Sequence, residues 1–457
     1  MARNTQVAAD HYAPPVTRML AQFVANHPRR GWSDAVDHEA HRTLMNWVGC
    51  AVGAAHHETA QAALAAVQML QPAPQATLLG RAERVDIASA ALLNGISSHT
   101  FDFDDTHLKT IIHPAGPLVS VALALAEQLG SSGRALIDAL VLGIDVSCRV
   151  GNAMYPDHYD CGWHITGSST GSLGAAAACA RLLDLDAART AMALGIAASQ
   201  PVGMREQIGT MTKPFHPGAA ARAGLMAALM ASHGYTPGPR ALEAPRGMMQ
   251  TVSTKNDWAE IRAELGQRFE IGFNTYKPFA CGIVIHPSID ACAQLRAQGV
   301  RPEMVERIEL KVHSLVLELT GKKEPADGLQ ARFSVYHGCA AGLVFGHTSE
   351  PEFADEVVNR ADLMALRRKV QATVDDSIDE ASAGVIAVLS DGRRVNVFVE
   401  HAIGSLQNPM SDAQLAAKLH GLSDTVIGAD RSAVLIEACW AVGAAADVRG
   451  LTGLARP

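Results

Sequence analysis

Polar and apolar positions along this chain follow two different periods. In GRALIDALVLGIDVSCRV, Leu136, Ala139, Leu140, Gly143 and Val146 recur at three- and four-residue intervals, while Arg134, Asp138, Asp145 and Arg149 take the polar positions. That is the stripe of an amphipathic helix. The same Ala-, Leu- and Met-rich texture runs from about residue 17 to 265 and predicts a succession of helices. One of them, in DAARTAMALGIAAS, opens on Asp186, a suitable N-cap. From about residue 275 the period shortens. Ile308, Leu310 and Val312 alternate with charged residues, which reads as a half-buried strand. Val385, Ala387 and Leu389 lead through Asp391-Gly392 to Val395, Val397 and Val399, a β-hairpin turning on two residues. A helical pattern returns after about 410 in SDAQLAAKLHGL. The predicted fold is α+β and helix-dominated: a large all-helical domain over 1–272, a smaller α+β lid domain over 273–402, and a C-terminal segment, 403–457, that completes the helical domain. The junction between two domains is a preferred place for a ligand cleft.

Composition narrows the function. The 457 residues are 48% hydrophobic and 18% charged, with a net charge of −8, so the chain packs a core and is not disordered. With aromatics at only 5%, close helix contacts through Ala and Gly are the expected packing device. The acidic balance argues against a nucleic-acid partner, yet a few cations gathered in a cleft still suit a small anion. The most apolar stretch, Ile111 to Ala126, is broken by His113, Pro114, Gly116 and Pro117, so no membrane span of roughly 20 apolar residues is expected. The first twenty residues hold Asp10 and two prolines without an apolar run, which does not read as a secretory signal. Eight scattered cysteines without a CxxC pair read as reduced, mostly buried thiols of a cytoplasmic protein. With no GxxxxGK[ST], and no dinucleotide fingerprint after a predicted strand, an NAD or ATP site is disfavoured.

Four polar clusters interrupt the apolar background. HTFDFDDTHLKTIIHPAGP carries His99, Asp102, Asp104, Asp105, Thr106, His107 and His113. Crowded carboxylates raise one another's pKa, and a nearby imidazole uses or relieves that; the plainer alternative is a capping loop. CGWHITGSSTGSLG sets His164 before a Gly/Ser-rich helix start, whose free N–H groups suit an anion. GTMTKPFHPGAAARAG holds Lys213, His216 and Arg222, with Pro214 and Pro217 fixing the loop that presents the lysine. FNTYKPFACGIVIHPSIDA holds Tyr276, Lys277, Cys281 and His286. For each of the last three, a structural turn or a solvated surface group is the competing reading. Together they supply imidazoles, carboxylates and ammonium groups without a cofactor cradle, an outfit for moving a proton beside the carboxylate of a small polyanion. A Ser/His/Asp hydrolase is the less attractive alternative.

At these four clusters, in this order and over roughly residues 15 to 450, the sequence resembles the MmgE/PrpD family. The carrying segments are DFDDTH with HPAGP, GWHITGSSTGSLGAAAA, GTMTKPFHPGAAARAG and YKPFACGIVIHPSIDA. The resemblance implies a homodimer of two-domain subunits, a small polycarboxylate substrate, and catalysis without metal or organic cofactor. It matches active-site residues to Asp102, Thr106, His113, His164, Lys213 and Lys277. In dehydratase- and decarboxylase-type members a lid tyrosine follows; the corresponding stretch here, ARFSVYHGCA, has His337 at that position and Tyr336 beside it. That pattern is similar to the branch of the family that includes an epimerase. The expected catalytic groups are therefore Asp102, His113, Lys213 and His337, with Thr106, His164, Lys277 and Tyr336 contacting substrate. In this scheme Asp102 orients His113 as base or acid, Lys213 and His164 hold carboxylates, and Lys277 and His337 arrive from the lid, His337 as proton donor. Loss of hydroxide would be dehydration and loss of carbon dioxide decarboxylation, with epimerisation of a substituted succinate as the alternative. Two further alternatives are a metal-dependent hydrolase or lyase using Asp104, Asp105, His107 and His113, and a protein that binds polycarboxylates without turnover.

Overall fold

The computed structural model describes residues 13–167 and 170–457. Its larger hydrophobic core is built from helices. Asp34–Gly53, Ala115–Leu129, Gly133–Met154, Thr170–Leu182 and Thr212–Ser232 bury most of their length. The cap expected at Asp186 is present, accepting from the Arg189 N–H, and Ser132 likewise accepts from the Ala135 N–H, each satisfying an otherwise unpaired donor of the first turn. The C-terminal helices Asp412–Ile427 and Ala429–Ala441 return to this core through Leu415, Leu419, Leu435 and Cys439.

Small residues set the helix spacing, as the low aromatic content predicts. Helix Ile87–Thr100 crosses helix Thr212–Ser232 at Gly95 and Gly218, so tightly that a Cβ on Gly95 would lie 2.6 Å from the Gly218 Cα. The prolines expected to stiffen a loop are in fact inside this second helix. Pro214 stands in the first turn, where a missing N–H costs nothing, and Pro217 one turn on.

A second core lies over a four-stranded sheet of spatial order Val370–Val374, Val305–Val312, Ala383–Leu389, Arg394–Val399. The first pair is parallel and the others antiparallel. Ile308, Leu310 and Val312 point inward, as their alternation requires. The hairpin exists, but its connection is longer than two residues: the strands end at Leu389 and resume at Arg394, and Gly392 supplies the positive φ of 85°. Helices His286–Ala297 and Val335–Phe345 cover the sheet. A short antiparallel ladder joins the two regions, pairing Asp105, Thr106 and His107 with Tyr276, Thr275 and Asn274. No helix among the described residues is long and apolar enough to cross a membrane.

Candidate active site

Each half of the site follows from one of these contacts. The Gly95–Gly218 crossing sets the last turn of helix Ile87–Thr100 against the first turn of helix Thr212–Ser232, which brings His99 to Lys213. The Asp105–Tyr276 ladder carries the next residue, Lys277, onto the DFDD loop, where its N–H donates to the Asp104 carbonyl at 3.3 Å. His164 is placed by its own N–H, which donates to the Gly203 carbonyl at 3.2 Å. Gly203 has to be glycine. Its φ is +99° and a Cβ would meet the His216 ring at 2.7 Å. Ser168 and Ser169, at the Gly/Ser-rich helix start, lie outside the described residues.

These placements close a cleft of about 60 Å³ between the two cores. The helical side contributes Asp102, His113, His164 and Lys213; the sheet-containing side contributes Lys277 and Phe333. Five of the eight expected residues therefore share one pocket. A sixth, Thr106, stands directly behind it, its hydroxyl 3.2 Å from His113 Nδ1. Lys213 is not the solvated surface group of the competing reading: it is buried, with its ammonium 5.2 Å from the centre of the Phe333 ring.

A chain of polar contacts runs through the site. His99 Nδ1–H donates to Asp104 Oδ2 at 2.6 Å, and the Lys213 ammonium donates to His99 Nε2 at 3.0 Å and to Asp102 Oδ1. Lys277 donates to the Asp102 carbonyl at 3.1 Å and lies 3.1 Å from its Oδ2. Burial alone would raise the Asp102 pKa, but the two ammonium groups outweigh it and hold the carboxyl well below its usual range. The lysines themselves part company. Burial dominates at Lys213 and lowers its pKa, whereas at Lys277 it is outweighed by Asp102 and Asp104, and the pKa is raised. Asp105 points away from the cleft, accepting from the Ala115 N–H and from Asn274. Burial, and then the charge of Asp104, push its carboxyl up to about 7.

His113 is oriented differently from the expectation. Asp102 is committed to the lysines and makes no hydrogen bond to it. Instead His113 Nδ1–H donates to the Asp105 carbonyl at 2.6 Å. That bond fixes the tautomer and leaves Nε2 as a bare lone pair. Burial lowers the His113 pKa to about 3, so the resting ring is neutral. Asp104 Oδ1, buried without a hydrogen-bond partner, lies 3.8 Å from His113 Nδ1 and stands ready to stabilise the ring once it is charged.

The remaining two expected residues lie elsewhere. His337 Nε2–H donates to the Glu352 carbonyl at 2.9 Å and its ring sits 5.3 Å from that of Phe353, inside the second core. Tyr336 lines a separate surface cavity with Lys323 and Arg367. Helix Val335–Phe345 turns both side chains away from the cleft, and Phe333, just before it, is the residue that reaches in. The proposed metal ligands do not converge either: Asp105 is bonded as above, and His107 is held by Thr110 and Glu270 at 2.7 and 3.2 Å. Two other trios, His99 with His113 and His164, and His99 with Asp102 and Asp104, have candidate ligand atoms within 4.8 Å of one another. The Lys213 ammonium already occupies His99 Nε2, which sets a positive charge where a cation would bind. His99 and His216, which bonds His164 Nδ1 to Nδ1 at 3.0 Å, are the site groups that the sequence reading left without a role. For His99 a signal existed: it stands three residues before Asp102, in the last turn of a predicted helix.

Residues 18–261 match the MmgE/PrpD N-terminal domain and residues 279–442 the MmgE/PrpD C-terminal domain. The chain is 26% identical over 460 residues to cis-aconitate decarboxylase of Aspergillus terreus, covering 93% of each protein. Cis-aconitate decarboxylase of Mus musculus is 27% identical over 386 residues, 79% of this chain and 77% of its own. A 2-methylcitrate dehydratase of Salmonella typhimurium is 26% identical over 209 residues, 42% of this chain and 43% of its own.

Proposed function

We propose that this chain, which belongs to the MmgE/PrpD family, is a lyase that moves a proton at the carbon next to a carboxylate of a small di- or tricarboxylate. One observation carries the reading: the neutral His113, the two lysines and His164 line a single buried cleft. Lys277 and Lys213 hold a substrate carboxylate and take up the enediolate charge that forms as His113 Nε2 accepts the C–H proton. Nδ1 stays bonded to the Asp105 carbonyl, and the new imidazolium charge faces Asp104. Substrate charge entering the cleft raises the His113 pKa from its resting value, so the base strengthens when it is needed. The returning proton comes from Lys213, whose ammonium burial makes more acidic. Delivered to a β-hydroxyl it releases water, which is dehydration. A decarboxylation needs no net loss of a C–H proton: Lys213 delivers its proton to carbon as a C–CO₂ bond breaks, and that electron pair shifts the double bond.

The two cores support the division into a helical body, 1–272 with 403–457, and a lid, 273–402. A homodimer is supported by an apolar stripe at and before helix Thr212–Ser232, where Met204, Met211, Phe215 and Met226 are exposed. A reducing cytoplasmic setting is supported by eight free thiols, seven of them buried. The test is turnover of cis-aconitate and of 2-methylcitrate in deuterated water, followed by proton NMR. Deuterium on carbon with loss of carbon dioxide or water supports the reading. Deuterium without loss of either would make the enzyme an epimerase, and no exchange with either acid would refute the proposal.

A further inference from the structure

We infer that the substrate carries an apolar branch beside its carboxylates, and that this branch occupies a second cavity adjoining the catalytic cleft. The inference rests on the lyase reading and specifies its substrate class. The second cavity, about 110 Å³, is lined by Leu108, Ile111, Ile283, Val284, Leu315 and Ile403. Ile111, Ile283 and Val284 also line the catalytic cleft, so the two spaces share one wall. The ionisable group on that lining which is fully buried, His286, has its pKa lowered to about 3 by burial and is uncharged. The other ionisable side chain there, Glu380, is an acid and repels a carboxylate, and Ser405 supplies the one hydroxyl. Apolar surface of this kind takes hydrocarbon.

The cleft points the same way. Beyond its catalytic groups it is walled by Ile208, Leu319 and Phe333 as well as the shared residues. Its two ammonium groups are already balanced by Asp102 and Asp104, and His113 and His164 are neutral. Such a site has its resting charges matched and offers much apolar surface for a chain. Ile111 adds a separate observation. Its φ is +51°, a conformation β-branched residues rarely adopt, imposed by a tight loop that closes where the His107 N–H donates to the Ile112 carbonyl at 2.8 Å. The strained residue stands on the wall that the two spaces share. At about 110 Å³ the second cavity is smaller than the ~150 Å³ apolar cavity known to hold benzene, so it accommodates roughly three to five carbons.

The test is calorimetric binding of succinate and its methyl, propyl and pentyl derivatives to the whole protein, alongside exchange in deuterated water with 2-methylcitrate. The expected result is an affinity gain of about fourfold per added methylene, levelling once the cavity is full. Leu315→Trp, and independently Ile403→Phe, fill the cavity and abolish that gain. Succinate and its alkyl derivatives binding equally well, in a protein that exchanges deuterium, would overturn the inference and leave the lyase reading intact. An undiminished gain in both variants would also overturn it, by placing the chain elsewhere. Failure of every dicarboxylate to bind, with no deuterium exchange, would overturn both.

Discussion

Replacing Lys213 and Lys277 in turn by methionine separates catalysis from stability, because the two ammonium groups sit in opposite electrostatic balance. Methionine keeps most of the stem and removes the charge. Lys277 holds its proton more firmly than an ordinary lysine, since Asp102 and Asp104 outweigh its burial; its charge stabilises the fold. Lys213 holds its proton less firmly, so its charge is a burden that burial imposes and Asp102 only partly offsets. Breaking a buried ion pair from one side costs about 3–5 kcal/mol when the partner is left bare. In Lys277→Met, Asp102 keeps Lys213 but Asp104 loses its nearer lysine, which places the cost near the lower end, about 3 kcal/mol. In Lys213→Met the lost pairing is set against relieved desolvation, so the cost is smaller than in Lys277→Met. Activity orders the variants the other way. Losing a donor aimed at developing negative charge costs about 10²–10³ in kcat, and Lys213→Met also loses the returning proton. Urea unfolding at pH 7, paired with steady-state kinetics, reads both effects. A destabilised Lys213→Met with near-native turnover, beside a Lys277→Met of native stability, would refute the reasoning.

Acid should destabilise the protein well above the carboxylate range. Burial lowers the pKa of His113 and His286 to about 3, and of His158, His216 and His337 to about 4, while Asp105 and Asp145 are raised to about 7 and 6. Near pH 5 the unfolded chain protonates five imidazoles that are neutral in the fold and ionises two carboxyls that the fold keeps protonated. These seven groups alone make unfolding take up about three protons, so stability falls by about 4 kcal/mol per pH unit on acidification, and the neutral His164 steepens the fall; urea midpoints that rise between pH 6.5 and 5 would contradict this. His337→Asn should retain turnover within about threefold, because the ring is held inside the second core, and a 100-fold loss in a folded variant would restore it to the site. In sedimentation velocity the wild type should run as a dimer and Met226→Glu as a monomer; a monomeric wild type would assign the apolar stripe another role.

What the sequence showed and what it hid divide along physical lines. Period alone was enough for the helices, the alternating strand and the hairpin, since burial of one face is a local pattern. The parallel strand Val370–Val374 was missed because only its first residue is fully buried and its partner lies about sixty residues away. Pro214 and Pro217 were taken for a loop because proline disfavours helix interiors, whereas Pro214 stands where helix donors are free anyway. In the site, the polar clusters contained Asp102, His113, His164, Lys213 and Lys277 and the resemblance singled them out; the structure gathers these five at one cleft. Who bonds whom was not legible. Asp102 and His113 are eleven residues apart in one loop, yet Asp102 faces lysines from two other elements and His113 bonds a backbone carbonyl, which no side-chain pattern records. His337 failed for a similar reason: the side chain that enters the cleft is Phe333, ahead of the helix, while the helix itself turns His337 into the second core.

The bare Nε2 of His113 is the atom through which the proposed chemistry passes, and its removal is the most direct test. The measurement is deuterium exchange into 2-methylcitrate or cis-aconitate by His113→Ala, with thermal unfolding recorded on the same sample. A folded variant whose exchange drops about 10²–10⁴-fold is the predicted result. A folded variant that exchanges at close to the wild-type rate would contradict it, and proton transfer would then have to be assigned to another group in the cleft.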